Sequence, residues 1–246
     1  MVEYHDLDVA KLQIPVPRQY LEAFLKASNG VLSGKKVLDV GAGLSPYRSL
    51  LEDYGLSYTS QDFSLYDESQ AERGFVTRGW NYPKHDYVCD VLEIPEQEKF
   101  DLLICTEVLE HVPDPVATFK KLKRLLAPKG QLFVSVPAMS FVHQAPYFFS
   151  SGLSTFWFEH WAKDLEIEVV RIISVGNYSD FMTQELHRVF YSSPRAWLSG
   201  KNLFEIMVNR RVYSGTRRFL SKRLSYLDRE VLSSSPMNTI FVGQNG

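Results

Sequence analysis

An α/β architecture, with a mainly parallel sheet covered by helices on both faces, is what this sequence predicts, and three observations carry it. Strand-length apolar runs alternate with stretches of helical periodicity from Lys36 to Val175. The first of those runs ends in a glycine-rich turn, Gly41-Ala42-Gly43. The residues able to do chemistry fall at the carboxyl ends of the runs, where open α/β sheets bind their ligands.

The elements follow in order. Pro17 opens a helix with Tyr20, Leu21, Phe24 and Leu25 on one face, stopped at Asn29-Gly30. Lys36 to Val40 reads as a short buried strand. After the glycine turn a second helix is expected, with Ser45 as N-cap, Pro46 at the first position, and Tyr47, Leu50, Leu51 and Tyr54 at i, i+3, i+4, i+7. Gly55 ends it. Leu56 to Gln61 is the second strand, followed by Asp62; Tyr87 to Cys89 is the third, followed by Asp90. The polar stretch between them, Phe63 to Asp86, gives no clear pattern. Phe100 to Cys105 is the fourth strand. Asp114 and Pro115 open a helix with Val116, Phe119, Leu122 and Leu126 inward, stopped around Pro128 and Gly130. Gln131 to Val136 is the fifth strand, an aromatic-rich helix runs from Leu153 to Leu165, and Glu166 to Val175 is the sixth strand. Thr239 to Val242 reads as the last.

Between these final two strands the alternation breaks. Residues 181–232 hold ten lysines and arginines against four acidic residues, a balance of +6 in a chain whose net charge is −2. This segment reads as a basic helical cap inserted before the final strand of one domain spanning residues 1–246. Its apolar residues, Phe204, Ile206 and Leu220 among them, are interleaved with arginines, a pattern suited to a phosphate or carboxylate on a ligand, to an anionic membrane surface, or to plain solvation.

Composition narrows the class. With 246 residues, 45% of them hydrophobic, the chain is long enough for a full core. The small net charge argues against a nucleic-acid binder. Two cysteines, Cys89 and Cys105, make no disulfide framework and sit in apolar runs, which suits a reducing, cytoplasmic setting. No window approaches the ~18 uninterrupted apolar residues of a spanning helix.

The motifs carry the chemistry. In Val37-Leu38-Asp39-Val40-Gly41-Ala42-Gly43 the glycines let backbone approach a ligand after a sharp turn. A dinucleotide fingerprint would place its last small residue at position 46, which is Pro46. Asp39 would repel a pyrophosphate and suits a cationic cofactor. Asp62 can accept hydrogen bonds from ribose hydroxyls or serve as a capping or turn aspartate, and Asp90 can accept from an exocyclic adenine amine or simply follow a short strand as a turn residue.

Taken in order, this glycine turn, Asp62, Asp90, the run Phe100-Asp101-Leu102-Leu103-Ile104-Cys105-Thr106-Glu107-Val108-Leu109-Glu110-His111-Val112, and Leu126-Ala127-Pro128-Lys129-Gly130-Gln131-Leu132 resemble the class I S-adenosylmethionine-dependent methyltransferases, in particular the broad group acting on small molecules and on sugars or lipids. The resemblance runs from Lys36 to Pro137 and more loosely to Val175. It implies a Rossmann-like seven-stranded sheet whose last strand is antiparallel. It implies S-adenosyl-L-methionine as cofactor, with Gly41, Ala42 and Gly43 along its methionine and ribose part. Asp62 would lie on the ribose with Phe63 against the adenine, Asp90 and Val91 at the adenine edge, and Thr106 and Glu107 near the methionine moiety. One departure is Ser45, where many members have a third glycine.

On the acceptor side, His143 in His143-Gln144-Ala145-Pro146-Tyr147 resembles the His-x-x-Pro-Tyr stretch of methyltransferases of polysaccharide and other glycan pathways. His143 is the candidate base or acceptor contact, or else orders its loop; His111 is a second candidate, touching cofactor or acceptor or making a structural hydrogen bond, with Glu110 either orienting it or exposed. His160, among aromatic residues, reads as a packing histidine. Tyr147, Phe148, Phe149, Phe156 and Trp157 either pack together under a lid or wall an acceptor pocket. No cluster has metal-ligand spacing in the sequence. The resulting expectation is methyl transfer to a small-molecule, sugar- or lipid-linked acceptor, at oxygen. The alternatives are a non-catalytic protein of this fold that binds a partner or membrane through its cap, and a nicotinamide-dependent oxidoreductase.

Overall fold

The computed structural model describes residues 16–66, 81–176, 181–182, 185, 215 and 238–246. Seven strands form one sheet: β1 (Lys36–Val40), β2 (Ser57–Asp62), β3 (Tyr87–Val88), β4 (Phe100–Thr106), β5 (Leu126–Pro137), β6 (Ile167–Val175) and β7 (Asn238–Asn245), in the spatial order β3-β2-β1-β4-β5-β7-β6. β1 to β5 run parallel; β7 lies antiparallel between β5 and β6. The order reverses between β1 and β4, so a crevice opens beyond their carboxyl ends.

Adjacent residues within a strand face opposite layers, and each layer is apolar. Leu38 of β1 and Leu103 of β4 join the core under α3 (Pro115–Leu125) and α4 (Thr155–Asp164), with Phe119, Phe158 and Phe241. Val37 and Leu102 point the other way, into the core under α1 (Val16–Ala27) and α2 (Arg48–Asp53), with Leu21, Leu25 and Leu51. That double burial explains why the central strands read as continuous apolar runs.

Helix starts follow local chemistry with one exception. The Asp114 Oδ1 accepts from the Ala117 N–H at 2.9 Å ahead of Pro115, and the Ser154 hydroxyl caps α4. Ser45, expected as the cap of α2, is not one. Its φ of 54° is left-handed, whereas a capping residue needs extended backbone, and the helix starts after Tyr47 instead. The conformation of Ser45 is the one glycine favours.

β5 starts five residues earlier than the periodicity indicates, because Leu126 already pairs with Phe100 before an irregularity that restores register at Gln131. The last strand likewise extends beyond Thr239–Val242 at both ends, since its whole length is held between two partners. Of the expected cap, most lies outside the described residues; Phe181, Met182, Glu185 and Gly215 are helical. Among the described residues no helix is long and apolar enough to cross a membrane.

Candidate functional site

The turn after β1 is built on left-handed backbone: φ is 65° at Gly41 and 54° at Gly43. A Cβ added at Gly41 would stand 2.4 Å from the Val108 Cγ2, so the chain passes against the segment after β4 with no room for a side chain. Two side chains from β2 hold the turn. The Gly41 N–H donates to the Gln61 Oε1 at 3.2 Å, and the Gln61 amide donates in turn to the Cys89 carbonyl at 2.7 Å. The Gly43 N–H donates to the Asp62 Oδ2 at 2.9 Å, while the Ser64 N–H donates to Oδ1 at 2.7 Å. Gln61 therefore joins the glycine turn to the strand that leads to Asp90. Sequence reasoning passed over it as an ordinary strand residue.

Asp39 lies under the turn, buried, and accepts from the Tyr58 hydroxyl at 2.7 Å. Burial pushes its carboxyl up to about 7; the Tyr58 hydrogen bond opposes this and the charge of Asp62 adds to it. A carboxyl whose folded value is raised stabilises the fold fully below its unfolded value, near 3.8, and that contribution is lost as pH rises through 7. Asp39→Asn, which keeps an acceptor for Tyr58, is therefore expected to match the parent near pH 4. At pH 8 it should be more stable by about 4 kcal/mol, for a carboxyl raised from 3.8 to about 7 at about 1.4 kcal/mol per pH unit. Urea unfolding at both pH values checks this, and equal stability at pH 8 would count against a strained Asp39.

Tyr47, placed by the helix pattern as a core residue, is also part of this end. It is buried beside the Thr106 side chain and the carboxylates of Glu107 and Asp39, and burial pushes its hydroxyl up to about 12. Tyr66, Tyr82 and Phe63 gather near Asp62. The Tyr82 hydroxyl is pushed up to about 12 by burial and then by Asp62, and interacts with Tyr66. Phe63 meets Tyr147 edge-on, with ring centroids 4.9 Å apart.

The remaining predicted residues divide. Thr106 is buried at the end of β4, and Glu107, at φ 56°, turns its Oε1 to the Ser135 hydroxyl and the Asn238 amide, both at 2.9 Å. Asp90 is exposed and caps a short 3-10 turn, Val91–Glu93, accepting from the Leu92 N–H at 2.8 Å in a reciprocal box with Glu93. Val91 is buried in the core at the start of that turn.

The acceptor-side residues converge from two loops. The loop after β5 is closed at its base, where the Leu153 N–H donates to the Pro137 carbonyl at 3.0 Å and the Ser140 N–H to the Ser151 carbonyl at 2.6 Å. Its far side folds onto a second 3-10 turn, Leu109–His111. The Phe149 N–H donates to the Glu110 carbonyl at 2.9 Å, and His111 Nδ1 donates to the Tyr147 carbonyl. His111 and His143 then meet edge-on, with centroids 4.8 Å apart, and Phe148 lies 4.9 Å from His143. Glu110 is not an exposed first-turn residue: it is 0% exposed, and its Oε1 lies 3.7 Å from His111 Nε2. Tyr147 and Phe148 flank this pair. Phe156 points outward at 76% exposure, and Trp157 packs on Phe119 in the core. His160 is exposed on α4 rather than packed inside. A cavity of 460 Å³ between α1 and the β5-β7-β6 edge lies on the far side of the sheet's chemistry, lined mainly by apolar side chains such as Phe24, Phe133 and Ile240.

The family model described as "Methyltransferase domain" matches residues 12–189. A ubiquinone biosynthesis O-methyltransferase from Pseudomonas fluorescens (strain Pf0-1) is 34% identical over 104 residues, 42% of this chain and 45% of that protein. One of the same description from Coxiella burnetii (strain Dugway 5J108-111) is 34% identical over 123 residues, 49% of each. The chain thus spans about half the length of the curated relatives it matches. Among solved structures, a putative sarcosine dimethylglycine methyltransferase from Galdieria sulphuraria aligns over 93% of this chain and 84% of that one, with a TM-score of 0.56 and 15% identity.

Proposed function

The chain belongs to the methyltransferase-domain family, and from that premise we propose that it transfers the methyl group of S-adenosylmethionine to an oxygen of a small-molecule, sugar- or lipid-linked acceptor. One observation carries the reading. The side-chain-free turn at Gly41, with buried Asp39 and Asp62 on it, opens at the same end of the sheet as the His111–His143 pair.

The residues fit the cofactor. A Cβ-free backbone lets the ligand approach closely, Asp39 and Asp62 give a negative environment for a sulfonium, and the aromatic rings around Asp62 suit an adenine face. When bound, the cofactor supplies an activated methyl group on a sulfonium sulfur. The chain's part is alignment and exclusion of water. Gly41, Ala42 and Gly43 would lie along the methionine and ribose, and Asp62 would accept from the ribose hydroxyls. Phe63 would cover the adenine, Asp90 and Val91 would bound its edge, and Thr106 with Glu107 would stand by the methionine. His143 and His111, with Tyr147 and Phe148 beside them, would meet the acceptor and manage its proton. The names of the curated relatives support oxygen as the atom methylated.

The test is calorimetric titration with S-adenosylmethionine, S-adenosylhomocysteine and NADH in parallel. Micromolar binding of the first two and none of NADH is expected. Acceptor screening then starts with phenols and with sugar- and lipid-linked hydroxyl compounds. Binding of NADH alone would overturn the reading, and binding of nothing by a folded sample would favour a non-catalytic scaffold.

A further inference from the structure

We propose that Glu110, His111 and His143 form a binding site for one divalent transition-metal ion, of the Zn²⁺ or Mn²⁺ type. One ligand atom from each residue lies within 4.8 Å of the others. A tetrahedral ion at ~2.0–2.1 Å holds its ligands roughly 3.4 Å apart, so small side-chain rotations close the set.

The imidazoles are oriented as ligands. Nδ1 of His111 faces the Tyr147 carbonyl, and Nδ1 of His143 faces the Phe141 carbonyl at 3.0 Å, with the Ser140 hydroxyl at 3.3 Å. A carbonyl only accepts, so Nδ1 carries the proton in both rings, and in a neutral ring the lone pair is then on Nε2. A ring fixed by a backbone carbonyl on one nitrogen and offering the other is the usual arrangement of a metal-bound histidine. The third donor, Glu110, is fully buried, and its Oε1 is 3.7 Å from His111 Nε2. Two nitrogens and one carboxylate oxygen suit borderline ions and leave coordination positions open for a substrate oxygen. Mg²⁺, which prefers oxygen ligands and keeps its water, fits the set less well.

The ion's catalytic use rests on the methyl-transfer reading above; the existence of the site does not. With the ion bound, His111 and His143 would serve as its ligands in place of acting as bases, and a hydroxyl oxygen on the ion would lose its proton to solvent at lower pH than in water. The oxygen–methyl bond then forms as the sulfonium–methyl bond breaks, and a neutral thioether leaves.

The experiment uses the full chain, stripped with a chelator and titrated calorimetrically with ZnCl₂ and with MnCl₂. Co²⁺ substitution is followed in the visible spectrum. One ion per chain is expected, with a ligand-field band from Co²⁺. His143→Ala and Glu110→Gln should each weaken binding at least tenfold, and His160→Ala, on exposed α4, should leave it unchanged. His143 is half-exposed in a loop, so its variant reports even where the Glu110 variant fails to fold. Absence of binding to the folded parent, or parent-like binding by His143→Ala, overturns the site. Titration of the same samples with S-adenosylhomocysteine separates the two ideas. Its binding without the metal removes the metal site alone, and metal binding without it removes the methyl-transfer reading alone.

Discussion

Gly41→Ala is expected to lower both the stability of the fold and the affinity for S-adenosylhomocysteine. Two effects add. An L-residue held at φ 65° costs roughly 1–2 kcal/mol. The new methyl group would also stand 2.4 Å from the Val108 Cγ2, and valine has little χ1 freedom with which to yield, so overpacking adds roughly 1–3 kcal/mol. A double-mutant cycle with Val108→Ala separates the terms. It should recover the overpacking part and leave the backbone part in place. Urea unfolding reads the stability and calorimetry the affinity. A Gly41→Ala protein as stable and as tightly binding as its parent would mean that the close approach of the two segments is not a constraint.

Asp62→Ala should have the second-largest effect. Its carboxylate accepts from the Gly43 and Ser64 N–H groups at 2.9 and 2.7 Å. Truncation leaves both donors to water or to nothing, at roughly 1–3 kcal/mol for each donor left unsatisfied. The turn would loosen and, with Asp62 placed on the ribose as proposed, the ribose hydroxyls would lose their acceptor, so a fall in affinity of about tenfold or more is expected. S-adenosylhomocysteine is the better probe. It carries no sulfonium charge, so the loss reports hydrogen bonding rather than the electrostatics of the Asp39–Asp62 pair. Unchanged affinity would remove Asp62 from the cofactor site. Asp62→Asn keeps one acceptor oxygen, and its affinity should fall between the two.

These two residues were legible in the sequence because their signals are local. A glycine turn after an apolar run, and an acidic residue at the end of the next run, are set by neighbours a few positions away. Ser45 was misread for the same locality. A serine followed by proline reads as a helix cap, and only the geometry of the whole turn shows its left-handed backbone. Gln61 and Tyr47 were missed because their periodicity places them on a strand and a helix face, and nothing local says that their polar ends reach the turn and Thr106. For Glu110 the sequence leaves exposure as open as a role beside His111, because a charged residue in a first turn is usually exposed. The loop from Tyr147 to Ser150, bonded back onto it, is what buries it. The meeting of His111 with His143 depends on that same loop, and no spacing rule covers two rings brought together by folding.

The seventh strand has a consequence for how this scaffold can vary. Val175, the last residue of β6, pairs with Asn238, the first of β7, so the connection over residues 176–237 leaves and re-enters the sheet at one point. The entropy of closing such a connection grows only with the logarithm of its length, and each doubling costs about 0.6 kcal/mol. Its length can therefore change at a small closure cost, apart from contacts such as that of buried Phe181 with Phe141, while the strands that hold Asp39, Asp62 and Thr106 remain in register.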